Sequence, residues 1–134
     1  MKEKELGYFK RVCFLLSSCW SRETSANPED WAPRDLAVGQ CAVTILVLQD
    51  IFGGDILRYH VLPPGRSQPT PGEKLPTHYT LFIDGREYDP TCQQFSEGVT
   101  LINRAPWKRQ QMLHDYPKTM ERYALLMLQL AKLL

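Results

Sequence analysis

The sequence has no excess of either charge: 16 Lys and Arg stand against 15 Asp and Glu, a formal net charge of +1. That excludes the one-sided electrostatic footprint of a dedicated nucleic-acid binder. No uninterrupted apolar run reaches the ~18 residues a transmembrane helix requires. The opening Met1-Lys2-Glu3-Lys4-Glu5 mixes charges where a secretion signal would be apolar. The expectation is a cytoplasmic protein with neither membrane nor nucleic acid among its partners. Cysteine is sparse and unpatterned: Cys13, Cys19, Cys41 and Cys92 form no C-x-x-C pair and no zinc-finger spacing. In a reducing compartment all four read as free thiols. Internal repeats and low-complexity tracts are absent. With 134 residues, 43% of them apolar, the chain is long enough to bury one core and too short for two. Residues 1–134 therefore read as a single soluble domain.

The apolar spacing of Leu6, Phe9, Val12 and Leu16 predicts a first helix over residues 5–20. Residues 21–38 read as an irregular connection, broken by Pro28 and Pro33 and pinned to the core by Trp31. Gly39-Gln40 opens a second helix over 41–52. Its apolar residues cover several sides, which predicts burial all round, and Gly53-Gly54 ends it. A strand is expected over 55–61. Residues 62–77 carry Pro63, Pro64, Pro69, Pro71 and Pro76 and read as a loop. Asp84-Gly85, between the β-prone runs 78–83 and 86–90, is a hairpin signal. The stretch 91–116 has no clear period, and a last helix is expected over 117–133. The fold class inferred is α+β: a buried central helix on a small antiparallel sheet, with helices at both termini.

Three residues in this layout carry chemistry. Cys41 stands at the start of the buried helix, where unpaired N–H groups and the helix dipole favour a thiolate and can hold an oxyanion. His78 opens the first hairpin strand. A two-residue turn pairs Ile83 with Arg86 and Thr80 with Asp89, which makes His78 and Asp89 diagonal neighbours on one face. A carboxylate on one imidazole nitrogen would leave the other for the thiol, the logic of nucleophile, base and orienter. A one-residue slip in register would break the arrangement. Each residue also has a plainer reading: Cys41 as packing, His78 as a satisfied polar residue, Asp89 as a turn former before Pro90.

The strings Gly39-Gln40-Cys41-Ala42-Val43, His78 and Asp89-Pro90-Thr91 resemble the transglutaminase-like branch of the papain-like cysteine fold. The wider set resembles the YunG family of small bacterial proteins: Trp20 to Ser25, Trp31-Ala32-Pro33, residues 39–58, His78-Tyr79, Asp89-Pro90-Thr91 and Gln94-Phe95. Thr80-Leu81 after the His-Tyr pair, and the proline-rich stretch before it, depart from that pattern. The resemblance implies a papain-like or transglutaminase-like architecture with Cys41, His78 and Asp89 as catalytic residues. It implies no cofactor.

Around them, Gln40 reads as an oxyanion donor or as a helix-capping amide. Trp20 and Thr24 are candidate pocket residues, and Tyr79 alternates into the core opposite His78. A zinc set of Cys41, His78, Asp89 and Cys92 has suitable ligand types but no spacing that demands it, so no metal is expected. His60 and His114 stand alone. Arg104, Lys108 and Arg109 cluster near Trp107 and read as a solvated face or a contact for an anionic partner. The apolar end of the chain caps the core or pairs subunits, and the oligomeric state stays open. The functional expectation is cysteine-dependent acyl transfer, or amide or thioester hydrolysis, on a small-molecule or peptide substrate, with the loop 62–77 as a lid. Two alternatives share the same residues: a non-catalytic binding module that keeps them as a hydrogen-bonded network, and a biosynthetic tailoring enzyme using Cys41 for bond formation on a small metabolite.

Overall fold

The computed structural model describes residues 1–95 and 97–134. Four helices and four strands follow one another as α1 (Glu3–Cys19), α2 (Cys41–Phe52), β1 (Asp55–Leu62), β2 (Thr77–Ile83), β3 (Arg86–Tyr88), β4 (Thr100–Trp107), α3 (Arg109–Asp115) and α4 (Thr119–Ala131), with a 3-10 turn at Cys92–Gln94. The strands form one antiparallel sheet in the order β3-β2-β1-β4. The fold class is α+β, as the sequence indicates.

The apolar periodicity explains α1: Phe9, Val12 and Leu16 are its buried residues, and Glu3 and Glu5 complement the helix dipole in its first turn. In α2 every residue from Val43 to Leu48 is buried. A helix apolar on all sides has to be the centre of the core, and α2 is enclosed by the sheet and by α1 and α4. It stops where Gly53, at φ 75°, donates its N–H to the Gln49 carbonyl at 2.8 Å. The sheet contributes Ile56, Tyr79, Leu81 and Ile83 to this core, and α4 contributes Leu126 and Leu130. Leu126 and Leu130 are fully buried, each stabilising the fold by roughly 1.5–3 kcal/mol.

The hairpin forms as Asp84-Gly85 requires. Asp84 and Gly85 both take positive φ, 50° and 81°, the conformation that matches the twist of the flanking strands. Ile83 pairs with Arg86, Phe82 with Glu87 and Leu81 with Tyr88. The ladder ends there, so residues 77–80 of β2 have no β3 partner, and the chain turns back along them through Asp89, Gln94 and Phe95.

One stretch that carried no reading resolves, and two expectations need correction. The unread stretch 91–116 contains β4 and α3. β4 is the sheet edge beyond β1, where Pro106 removes no ladder donor that the fold needs. It also carries Asn103 at φ 58°, opposite a register shift between Arg58 and His60, and a bulge of this kind erases the two-residue period. Trp31 does not reach the core: it is half-buried, donates its indole N–H to the Leu36 carbonyl at 3.1 Å, and stacks with Arg22. It ties the connection to itself. The last helix begins at Thr119, two residues after Pro117. Among the described residues no helix is long and apolar enough to cross a membrane.

Candidate functional site

The sequence Gly39-Gln40-Cys41 is shaped by a close approach between two loops. A Cβ on Gly39 would lie 2.4 Å from the Ser25 hydroxyl and under 3 Å from the main-chain nitrogens of Ala26 and Asn27. Gly39 also takes φ +70° and accepts the Ala26 N–H at 3.0 Å. Only glycine fits both the space and the angle. The Ser25 hydroxyl donates to the Val38 carbonyl at 2.7 Å and accepts the Asn27 N–H at 3.0 Å, so the 21–27 turn and the start of α2 are one rigid unit.

Gln40 belongs to that unit and not to an oxyanion site. It is fully buried; its Nε2 donates to the Ser21 carbonyl at 2.9 Å and its Oε1 accepts from the Thr24 hydroxyl at 2.8 Å. It does not cap the helix through its side chain either. Trp20 is buried and donates its indole N–H to the Thr44 hydroxyl at 2.9 Å, and Thr24 is fully buried. The expected pocket residues Gln40, Trp20 and Thr24 therefore stand behind the start of α2, fixing it from the core side.

His78 and Asp89 come together on the other side, near the start of α2. His78 is fully buried, and its Nε2 lies 2.8 Å from the Asp89 carboxylate. Thr80 shares the face of His78 and donates to Glu87 at 2.8 Å. The Cys41 thiol approaches the same imidazole. Burial acts to lower the His78 pKa, but the hydrogen bond to Asp89, the Cys41 sulfur and the charge on both outweigh it and hold the ring at about 9. Phe95 packs edge-on against the ring, with centroids 4.6 Å apart. The Gln94 amide nitrogen lies 3.3 Å from Nδ1 and also donates to the Thr91 carbonyl and hydroxyl.

The first turn of α2 leaves donors unused. Gln40 and Thr44 N–H groups find main-chain acceptors, at 3.1 and 3.0 Å, whereas those of Cys41, Ala42 and Val43 have none among the described residues. Cys41 is nearly buried, 8% exposed, and lies in the wall of a cavity of about 610 Å³. Gly39, Tyr79 and Gln94 share that wall, and Tyr116, Lys118 and Arg122 close it from the start of α4.

Sequence reasoning did not assign Gln94, Phe95 or the α4 residues to the site. Gln94 and Phe95 carried a signal as part of the family pattern; Lys118 and Arg122 carried none, because only the packing of α4 brings them to Cys41. The proline-rich loop contributes only its last residue, Pro76, with Thr77 beyond it. Its body folds on itself, with Arg66 bound to Glu73, Thr70 and the Gln68 carbonyl, so it does not sit over the cavity as a lid. Of the other thiols, burial pushes Cys13 up to about 12 and raises Cys19, and Cys92 is exposed. Among the described residues no three metal-ligating side chains converge on a common point.

A family model described as "YunG protein" matches residues 9–134. A protein of Bacillus subtilis (strain 168) named "Uncharacterized protein YunG" is 34% identical over 90 residues, covering 67% of this chain and 65% of the relative. The chain thus spans about two thirds of the length of the curated relative it matches. No solved structure matches.

Proposed function

The chain belongs to the YunG family, and on that footing we propose that it is a cysteine-dependent acyl-transfer enzyme of transglutaminase-like, papain-like architecture. Cys41 is the nucleophile, His78 the acid and base, and Asp89 the residue that orients His78. The observation that carries this reading is a buried imidazole bonded to a carboxylate, with a thiol near it at a helix start beside an open cavity.

The chemistry follows from the geometry. With Nε2 committed to Asp89, Nδ1 is the nitrogen left for proton traffic. Below pH 9 the ring carries a proton, and the nucleophile it serves is the sulfur of Cys41 in the thiolate form that thiol chemistry requires. The sulfur attacks a substrate carbonyl, its lone pair forming the C–S bond as the carbonyl electrons move to oxygen. The free N–H groups of Cys41, Ala42 and Val43 are the donors for that oxyanion. His78 gives its proton to the leaving amine, alcohol or thiol as that bond breaks. Gln94 then suits the neutral ring, since its amide N–H faces an unprotonated Nδ1. Water or an amine next loses a proton to His78 while attacking the thioester, and the thiolate departs.

Rates of iodoacetamide labelling against pH, read residue by residue by mass spectrometry, test this reading. Cys41 should label faster than Cys13, Cys19 and Cys92 below pH 7, and His78→Ala should abolish the difference. If Cys41 labels no faster than the exposed Cys92, the catalytic reading fails.

A further inference from the structure

The cavity beside Cys41 is incomplete in a specific chemical way. Two polar atoms in its lining side chains are buried and have no hydrogen-bond partner among the described residues: the Tyr79 hydroxyl and the Arg122 Nε. Tyr79 is 2% exposed, and neither atom is open to water. Buried polar groups without partners are rare because each costs about 1–3 kcal/mol.

Arg122 is the more informative of the two. Its guanidinium makes one hydrogen bond, from Nη2 to the Thr119 hydroxyl at 3.2 Å. No carboxylate among the described residues lies within ion-pair distance of it. Burial removes water from this cation and lowers its pKa. Lys118 lies one turn earlier on the same wall, at the N-terminal end of α4, whose dipole adds to the positive field. One acidic residue, Asp115, also lines the cavity; it accepts from the Gln111 amide at 3.0 Å. The remaining wall is largely apolar, with Ala26, Ala42, Pro76 and Pro117.

Taking the proposed Cys41 chemistry as given, we infer that the substrate is an acyl compound with an apolar body and a carboxylate, the carboxylate binding Arg122 and Lys118 while its carbonyl faces Cys41. Nη1 of this guanidinium has no protein acceptor among the described residues, and a charged guanidinium N–H suits a carboxylate oxygen. Asp115 in the same wall favours one negative charge over a dianionic phosphate.

The test separates this from the chemistry at Cys41. In the Cys41→Ser chain, calorimetric titration compares N-benzoylglycine with its uncharged amide, N-benzoylglycinamide, at pH 7. The acid should bind about tenfold more tightly, the order expected of one charge-assisted pair. Arg122→Gln should erase the preference, Arg122→Lys should keep part of it, and Arg109→Gln should leave it intact. Equal affinities, no binding of either compound, or a preference that survives Arg122→Gln would each overturn the inference. In the unsubstituted chain, the iodoacetate-to-iodoacetamide rate ratio at Cys41 should exceed that at Cys92 and fall to it in Arg122→Gln. If Cys41 reacts with neither reagent, the proposed activity fails, and the titration still decides the substrate class.

Discussion

Two cavities of similar size flank the sheet, and their charges are organised in opposite ways. The larger, about 660 Å³, is lined by Arg104, Trp107, Lys108 and Arg109, the cluster whose sequence most resembles an anion-binding patch. Its two arginines are already satisfied. Arg104 pairs with Glu87 and donates to the Tyr59 hydroxyl, and Arg109 pairs with Asp50 at 2.9 Å and with the Gln49 amide oxygen at 3.0 Å. The smaller cavity, at Cys41, holds Arg122 without a carboxylate and Tyr79 without a partner. Density of positive charge in sequence is therefore a poor guide to an anion site. What matters is whether the fold supplies the counter-charge itself, and around Cys41 it does not.

The comparison can be broken most forcefully at the hinge between the 21–27 turn and α2. Gly39→Ala should destabilise the protein by about 3 kcal/mol or more, combining left-handed backbone strain with a clash against main-chain nitrogens. Gly65→Ala, also at positive φ but with nothing within 4 Å, should cost only about 1 kcal/mol. Denaturant melts of both variants check the pair. Equal losses would mean that the packing behind Cys41 is looser than the geometry requires.

Gln40→Ala comes next. It leaves the Thr24 hydroxyl and Ser21 carbonyl without their buried partner and should cost about 2–3 kcal/mol. Its effect on Cys41 labelling should be no greater than that loss of stability explains. A variant of full stability whose Cys41 reactivity collapsed would restore Gln40 to the oxyanion role.

How much of this was legible depended on whether a signal was local. The Asp84-Gly85 turn sets its own register, and that register was enough to bring His78 and Asp89 together on paper and at 2.8 Å in the fold. The all-apolar α2 announced its burial in the same way. Gln40 was misread because its role is decided by Ser21 and Thr24, some twenty residues earlier, and nothing at Gln40 itself reports them. β4 stayed hidden because Pro106 and the bulge at Asn103 remove the alternation that marks a strand. Arg122 stayed hidden because a helix's own sequence does not say which cavity its first turn will line.

Asp89→Asn sharpens the electrostatic half of the comparison. The His78 pKa is raised on folding, from an ordinary 6.5 to about 9. A raised folded-state pKa means the protonated form is favoured in the native state, so its contribution to stability is complete below about pH 6.5 and disappears as pH climbs through about 9. Asp89→Asn keeps a hydrogen-bond acceptor but removes the charge. It should cost about 1–3 kcal/mol at pH 6 and progressively less toward pH 9, where the two proteins' melting curves should converge. A loss independent of pH would assign Asp89 a purely steric role.

The smallest effect expected is also the most direct contrast between the two cavities. Arg109→Gln removes a partly exposed ion pair with Asp50, and such pairs contribute about 0–1 kcal/mol. Arg122→Gln removes a charge that has no carboxylate partner, gives up one hydrogen bond to Thr119 and replaces a partly desolvated cation with a neutral amide, so its stability should be nearly unchanged. Thermal melts at pH 7 read both variants. A substantial destabilisation by Arg122→Gln would mean that the protein itself satisfies this guanidinium, and the cavity at Cys41 would then resemble its neighbour, whose arginines find their counter-charges within the fold.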